Sequence, residues 1–259
     1  MVATETNWFP SEGQVLKELL EVVGATLEAK RISLDSEEKA IIAFFLGKAY
    51  KTSQAILLLA EQGYGEDAGL LARGLLNLTI NAEWIHQDPK VRATAYVDYD
   101  WILRAKLGRK IIQNPSLLGA AYQDKLPEVK KTQAQLEAEA KRVQKAHGYD
   151  QHGWSGKTIR SMSEEVGLLD AYDSAYTLLS NMEHSNSRSV NDYIVDGPQG
   201  YDIDVAPGPN YVRESLLTAH HLMLRVAKLA DEILALAIDK ELGQAEREEQ
   251  SLIKNARKE

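Results

Sequence analysis

The chain has 259 residues and carries 30 Lys and Arg against 38 Asp and Glu, a formal net charge of −8. This charge disfavours non-specific binding to DNA, although a local basic patch is compatible with it. Because there is no cysteine, disulfides, thiolate zinc sites and cysteine nucleophiles are excluded, and we expect a reducing compartment, the cytoplasm.

Apolar residues make up 44% of the chain and charged residues 26%, a balance typical of a folded globular protein. The first ten residues lack the basic start and apolar core of a signal peptide. No apolar run reaches the roughly 18 residues that a membrane span needs. We therefore expect neither export nor a membrane partner.

Apolar residues recur at helical spacing over most of the chain and predict a series of helices. The predicted helices cover residues 11–30, 36–62, 66–87, 89–113, 126–146, 158–166, 168–184 and 211–242. Ser11 is a predicted N-cap of the first helix, and Asp88 followed by Pro89 is a strong start signal for the fourth. The fifth helix is rich in Lys, Glu and Gln, which predicts a surface position or pairing through a narrow seam.

The segment 192–205 departs from the helical pattern. Tyr193 and Val195, then Tyr201, Ile203 and Val205, alternate on either side of a DGPQG turn, which predicts a small β-hairpin. The predicted fold is all-α, a multi-helix bundle with this hairpin inserted. One helical domain is expected over residues 1–242, followed by a charged tail, frayed or disordered, over 243–259.

Polar residues form a stripe on the otherwise apolar third helix. Arg73, Asn77 and Asn81 follow one another at intervals of four residues and so share one face. A second polar group ends the helix at 168–184 and includes His184. We hypothesise a catalytic pair of Arg73 and His184, in which the histidine exchanges protons near neutral pH. The other predicted pocket residues are Asn77, Asn81, His152, Trp154, Tyr176 and Arg188. The alternative is that Arg73 and His184 tie helices together.

Two further patterns have chemical meaning. Glu83 and His86 have the Glu-x-x-His spacing of di-iron bundles, but no second copy exists, so we predict neither a metal nor another cofactor. An arginine followed by a histidine after four to six intervening residues at a helix end suits phosphate binding and proton transfer on RNA. This pattern occurs at Arg142 to His147 and at Arg213 to His220. Arg104, Lys106, Arg109 and Lys110 offer a basic approach surface.

Ordered landmarks over residues 70–187 carry a family resemblance. They are LLARGLLN at 70–77, AEWI at 82–85, Asp88-Pro89, WSGKTIR at 154–160, Tyr172, Tyr176, Leu179-Ser180 and His184-Ser185. In this order they resemble a family of uncharacterised bacterial all-helical domains of unknown function. The resemblance implies a helical bundle that brings Arg73 and His184 together. Asn77 departs from the family pattern, which often has a carboxylate there.

The bundle and its Arg and His content are also distantly similar to HEPN domains, many of which are RNases in toxin or phage-defence systems. This similarity implies a metal-independent RNase, an effector that handles RNA or a nucleotide. The alternative is a non-enzymatic scaffold or binding protein that forms a homodimer. In that case the long helix at 211–242 contributes its broad apolar faces to self-association.

Overall fold

The computed structural model describes residues 8–150, 152–174, 187, 190–198 and 200–256. Its long helices are α1 (Pro10–Ala29), α2 (Glu37–Glu61), α3 (Gly65–His86), α4 (Pro89–Gln113) and α5 (Leu126–His147). The later helices are α6 (Ile159–Glu165), the short α7 (Val190–Tyr193), α8 (Val212–Leu234) and α9 (Asp239–Ala256), and residues 169–174 are also helical. Strands β1 (Ile194–Gly197) and β2 (Gly200–Ile203) complete the fold. The predicted all-α class with a small hairpin is confirmed.

The chain groups into two compact units: Met1–Trp84 with Met162–Glu259, and Ile85–Ser161. We call them the outer-segment unit and the middle unit after their positions in the sequence. The single domain expected over residues 1–242 stays a prediction. Among the described residues, no helix combines the length and the apolar character needed to span a membrane.

Helix α8 lies at the core of the outer-segment unit, where it packs against α1, α2 and α9. Its apolar side chains are covered on several sides, and Leu216, Leu222, Val226 and Ala227 are each at most 2% exposed. Arg213 of α8 donates from Nε to Oε1 of the buried Glu12 of α1, at 2.7 Å. Helix α8 thus buries these residues within its own unit, and the self-association predicted for this helix stays a prediction.

The predicted helix 211–242 is wrong in its length, because the chain turns out of α8 at Ala235. Ala235 and Ala237 both adopt positive φ, 53° each, and Oδ1 of Asp231 accepts from the backbone N–H of Ile238 at 3.1 Å. Helix α9 then begins at Asp239 and packs on α1 and α8. Leu242, Ala245 and Glu249 are buried on its inner face. The charged C-terminal segment is therefore helical through Ala256 rather than frayed from Gly243.

The hairpin is confirmed within the predicted range. Strands β1 and β2 pair antiparallel, with Ile194 opposite Ile203 and Gly197 opposite Gly200. Its side chains are largely exposed: Tyr201 is 80% exposed, Ile203 71% and Val205 80%. The alternating apolar residues that identified the hairpin are thus not buried against the described part of the chain.

The middle unit is built on an antiparallel pair of α4 and α5, connected through two short 3-10 helices at Pro115–Leu118 and Ala120–Lys125. Gln133 of α5 donates from Nε2 to the carbonyl of Ala105 at 3.1 Å. Gly108 of α4 packs directly against the Gln133 side chain. A Cβ at this position would clash with the Gln133 side-chain oxygen. Gln133, Ala140 and Val143 are the buried residues of α5, which confirms pairing through a narrow seam.

Candidate functional site

The three residues of the polar stripe on α3 are all half-buried. Arg73, Asn77 and Asn81 are all of intermediate exposure, and Nδ2 of Asn81 donates to the Asn77 carbonyl at 2.6 Å. Within the described residues, the Oδ1 atoms of Asn77 and Asn81 are buried and accept no hydrogen bond. Two amide oxygens without a hydrogen bond from the described residues are costly on one helix face, which makes this face a candidate binding surface.

Three of the predicted partners of this stripe, Tyr176, His184 and Arg188, lie outside the described residues. The pairing of Arg73 with His184 therefore stays a prediction. The remaining two predicted pocket residues belong to the middle unit. His152 is exposed there, and its backbone N–H donates to Oδ1 of Asp150 at 2.7 Å. Trp154 packs edge-on against Tyr96, with ring centroids 5.0 Å apart.

The middle unit brings together a histidine, an arginine and a carboxylate, which we call the His147 cluster: Asp98, Arg142 and His147. Asp98 of α4 has one oxygen, Oδ2, 2.9 Å from Nε2 of His147. Its other oxygen lies 3.9 Å from Nη2 of Arg142. The Asp98 and His147 side chains are 20% and 18% exposed, whereas Arg142 is 57% exposed. The cluster thus has a shielded carboxylate–imidazole pair beside an accessible guanidinium.

The contact with Asp98 decides which nitrogen of the His147 ring carries the proton. An ionised carboxylate accepts hydrogen bonds only, so Nε2 of His147 carries the proton in this contact. The second ring nitrogen, Nδ1, makes no hydrogen bond to any described residue and is left with its lone pair in the neutral ring. Arg142 also donates from Nε to Oε2 of Glu139 at 2.7 Å, a hydrogen bond that is the largest cause of a raised Arg142 pKa. Arg142 therefore stays positively charged.

Tyr149 packs against the His147 ring of this cluster. Its ring stacks on His147 with centroids 5.2 Å apart and meets Tyr99 edge-on at 5.0 Å. Its hydroxyl donates to the carbonyl of Ala95 at 2.7 Å. Burial, followed by the charge of Asp98, raises the pKa of Tyr149 well above its usual range. Tyr149 is therefore a neutral packing residue that restricts the imidazole to one orientation.

The middle unit is basic although the whole chain is acidic. Residues 85–161 contain 14 Lys and Arg against 8 Asp and Glu, a net charge of +6, which leaves −14 for the remainder. Arg104 and Arg109 are more than half exposed, and the Arg104 guanidinium lies over the Trp101 ring at 5.4 Å. This is a local positive surface with an aromatic partner, of the kind that binds polyanions.

Other sequence candidates have structural roles. Arg225 of α8 holds Glu83 in a bidentate pair, with Nε–Oε1 at 2.6 Å and Nη2–Oε2 at 2.5 Å. Since both Glu83 oxygens are occupied, the Glu-x-x-His pair is not free to ligate a metal. No group of three or more His, Asp or Glu side chains in the described part of the chain could hold a metal ion. Of the two Arg–His patterns, only Arg142 to His147 combines a largely exposed arginine, 57%, with a histidine that is not fully buried, since Arg213 is 24% exposed and His220 2%.

Asp98 escaped the sequence analysis, although a signal for it exists. Antiparallel pairing of α4 and α5 about their connection places positions with a constant residue-number sum opposite one another. The pairs Ala95–Tyr149, Asp98–His147 and Arg109–Glu137 have sums of 244 to 246, whereas Ala105–Gln133 has 238, so the rule holds to within about two helical turns. Folding the two predicted helices back on each other would thus have indicated a carboxylate beside His147.

Searches of the curated proteins and of the solved structures found no match to this chain. One family model does match, that of a family of unknown function, DUF5677, over residues 39–201. The match takes in α2 to α5, the His147 cluster and the α3 stripe. Because it spans more than half of the 259 residues, the chain belongs to the DUF5677 family of unknown function.

Proposed function

We propose that this protein is a metal-independent ribonuclease of the cytoplasm, with the His147 cluster as its catalytic site. The observation that carries the proposal is the contact of one carboxylate, Asp98, with both His147 and Arg142 in a unit of net charge +6. General acid–base chemistry on a phosphodiester needs a held imidazole and a nearby cation, and no metal. A HEPN-like effector role in stress or phage defence is the biological setting that we propose.

The proposed step is transesterification within the RNA chain. Nδ1 of His147 removes the proton of a ribose 2′-hydroxyl, and that oxygen attacks the adjacent phosphorus. The bond from phosphorus to the 5′ oxygen breaks, and this oxygen takes a proton from water. The hydroxide that remains takes the proton from Nδ1 of His147, which restores the neutral imidazole. The products are a 2′,3′-cyclic phosphate and a 5′-hydroxyl end. Arg142 balances the charge that accumulates on the phosphoryl oxygens, and Asp98 stabilises the imidazolium.

Substrate binding would use the basic surface of α4 and α5. Arg104 over Trp101 offers a flat cation–aromatic surface on which an unpaired base can stack, and Arg109 supplies a second exposed guanidinium. Such contacts favour single-stranded RNA over a duplex, whose bases are not available for stacking. The RNA affinity should therefore decrease steeply with salt.

The test is cleavage of a fluorescently labelled single-stranded RNA by the full chain in EDTA. We expect cyclic-phosphate products, and no cleavage where a 2′-deoxynucleotide precedes the scissile phosphate. His147→Gln should lower the rate about 100-fold or more, since general acid–base groups contribute on the order of 10²–10⁴. Arg142→Gln should lower it similarly. RNA that stays intact with the wild-type chain under all these conditions would refute the proposal.

Two controls separate the site from its surroundings. Lys145→Gln removes one positive charge from the exposed face of α5, as Arg142→Gln does, and should leave the rate close to that of the wild type. Arg73→Gln and His184→Gln test the pair predicted from the sequence. If these two variants lose cleavage while His147→Gln retains it, the catalytic site is that of Arg73 and His184, and the assignment to the His147 cluster is wrong.

A second candidate function is a non-enzymatic binding protein that forms a homodimer, and the exposed hairpin is what favours it. A two-stranded sheet is marginally stable alone, and here Tyr201, Ile203 and Val205 expose apolar surface beside strand edges that pair with no other described strand. Pairing with the same edge of a second copy would satisfy both. Sedimentation should then show a dimer that Ile203→Lys dissociates; a monomer at all concentrations would exclude this function.

A further inference from the structure

A pocket of about 390 Å³ opens in the outer-segment unit, between α8, α9, α3 and the helical residues 169–174. Most of its lining is apolar, and its apolar residues include Leu76, Leu217, Leu222 and Ile253. Its volume is in the range of small-molecule sites, roughly 300–1,000 Å³. This pocket is separate in sequence and in unit from the His147 cluster, so a ligand site here is independent of the proposed ribonuclease function.

The polar wall of the pocket contains a buried carboxylate. Glu249 of α9 is 6% exposed, and its Oε1 lies 3.0 Å from Nδ1 of His221. Nδ1 of His220 lies 3.8 Å from the same oxygen, too far for a hydrogen bond. Among the described residues, the second oxygen, Oε2, accepts no hydrogen bond. Glu249 therefore lines the pocket with one oxygen hydrogen-bonded to His221 and the other without a hydrogen bond to any described residue.

Glu249 is ionised at neutral pH. Burial acts to raise the pKa of Glu249, but the contacts and charges of His220 and His221 outweigh burial and hold it at about 2. Glu214 adds a second carboxylate at the exposed edge of the pocket. An anionic ligand would face two carboxylates, and a purely apolar ligand would leave the Glu249 oxygen unpaired.

We propose that this pocket binds a small amphiphilic amine, whose ammonium group donates to Oε2 of Glu249 and whose apolar body packs against Leu76, Leu217, Leu222 and Ile253. The charge-assisted hydrogen bond fixes the orientation of the ligand, and the apolar walls supply most of the binding free energy. His221 positions the carboxylate from the other side.

The test uses three probes of equal body and different head group: 4-phenylbutylamine, 4-phenylbutanol and 4-phenylbutyrate. Isothermal titration calorimetry on the full chain at pH 7 should show the amine binding about tenfold or more tightly than the alcohol, as expected for a charged hydrogen bond of roughly 1.5–3 kcal/mol. The butyrate should bind most weakly. Equal affinities for the amine and the alcohol, or no binding of the amine, would overturn the proposal.

Two variants locate the site. Glu249→Gln should abolish the preference for the amine, whereas Glu246→Gln on the same helix, which removes the exposed partner of Lys228, should preserve it. Leu217→Trp fills the pocket without touching Glu249 and should abolish binding of all three probes. Thermal melting reports whether each variant is folded. If Glu249→Gln does not fold, Leu217→Trp decides the matter, and wild-type affinity in that variant would place the bound amine elsewhere.

Discussion

Replacing Arg225 by Met removes the hydrogen bonds that link α8 to α3 and to the residues after α6. The Arg225 guanidinium makes two short hydrogen bonds to Glu83, and Nη2 also donates to the carbonyl of Val166 at 3.1 Å. The hydrogen bond to Glu83 is the largest cause of a raised Arg225 pKa, so the arginine is charged at any ordinary pH. The Arg225 side chain is 31% exposed and that of Glu83 16%, so the pair lies between the surface and the core.

This position sets the magnitude. Breaking a fully buried pair costs roughly 3–5 kcal/mol, and an exposed pair is worth about 0–1 kcal/mol. We therefore expect Arg225→Met to lower the free energy of unfolding by about 2–3 kcal/mol, mostly because Glu83 keeps a desolvated charge. Arg225→Met combined with Glu83→Gln should recover part of this loss, which gives a coupling of about 1–2 kcal/mol.

Urea unfolding followed by circular dichroism measures these quantities. The matched control is Lys228→Met, which breaks the Lys228–Glu246 pair at 2.7 Å, where both side chains are at least 40% exposed. That variant should change the stability by less than about 1 kcal/mol. If Arg225→Met costs no more than Lys228→Met, with the same dependence on urea, then the tie between Glu83 and Arg225 does not stabilise the unit.

Two further predictions concern the pKa of Glu249 and the packing of Gly108 against Gln133. The pKa of Glu249 in the folded state, about 2, lies below the ordinary 4.5, so its stabilisation is complete above about pH 5 and is lost as the pH falls towards 2. Chemical unfolding between pH 5.5 and 3.5 should show a flatter decline for Glu249→Gln than for the wild type, and equal declines would contradict the assigned pKa. Gly108→Ala should destabilise the middle unit by a net of about 1 kcal/mol: the overlap of its Cβ with Oε1 of Gln133 costs about 2 kcal/mol, and the higher helix propensity of alanine returns about 1 kcal/mol. If amide hydrogen exchange over residues 85–161 is equally slow in Gly108→Ala and in the wild type, the overlap does not destabilise the middle unit.

Several helix boundaries could be predicted from the sequence because local signals define them. The predicted Ser11 cap is wrong: α1 begins at Pro10, after Phe9 in the left-handed region, and has no side-chain cap. Ser36 caps α2 by accepting from the Lys39 N–H at 3.2 Å, and Pro89 begins α4. The break between α8 and α9 could not be predicted, since it uses alanines in the left-handed region, whereas alanine is the best helix former. Asp231 supplies the compensating acceptor from four residues before the turn. Only the folded chain shows that this side chain reaches the N–H of Ile238.

The candidate site shows the same division. Arg142 and His147 could be identified from their spacing, but the spacing alone matched Arg213 and His220 equally well. What separates the two patterns is tertiary: Arg213 is paired with Glu12, while Arg142 stays exposed beside the Asp98–His147 pair. A spacing pattern in the sequence identifies candidate pairs of an arginine and a histidine. Burial then decides which of them remain available for chemistry.

The uneven charge of the two units changes what the composition implies. A net charge of −8 disfavours a polyanion partner only if the charge is spread evenly, because screening limits the field of an exposed group to about 8–10 Å at physiological salt. With +6 on residues 85–161 and −14 on the remainder, a phosphate chain near α4 and α5 meets a positive local field. A cationic ligand in the outer-segment unit meets the opposite field. Each candidate ligand is therefore matched in charge to the unit that would bind it, which the whole-chain charge conceals.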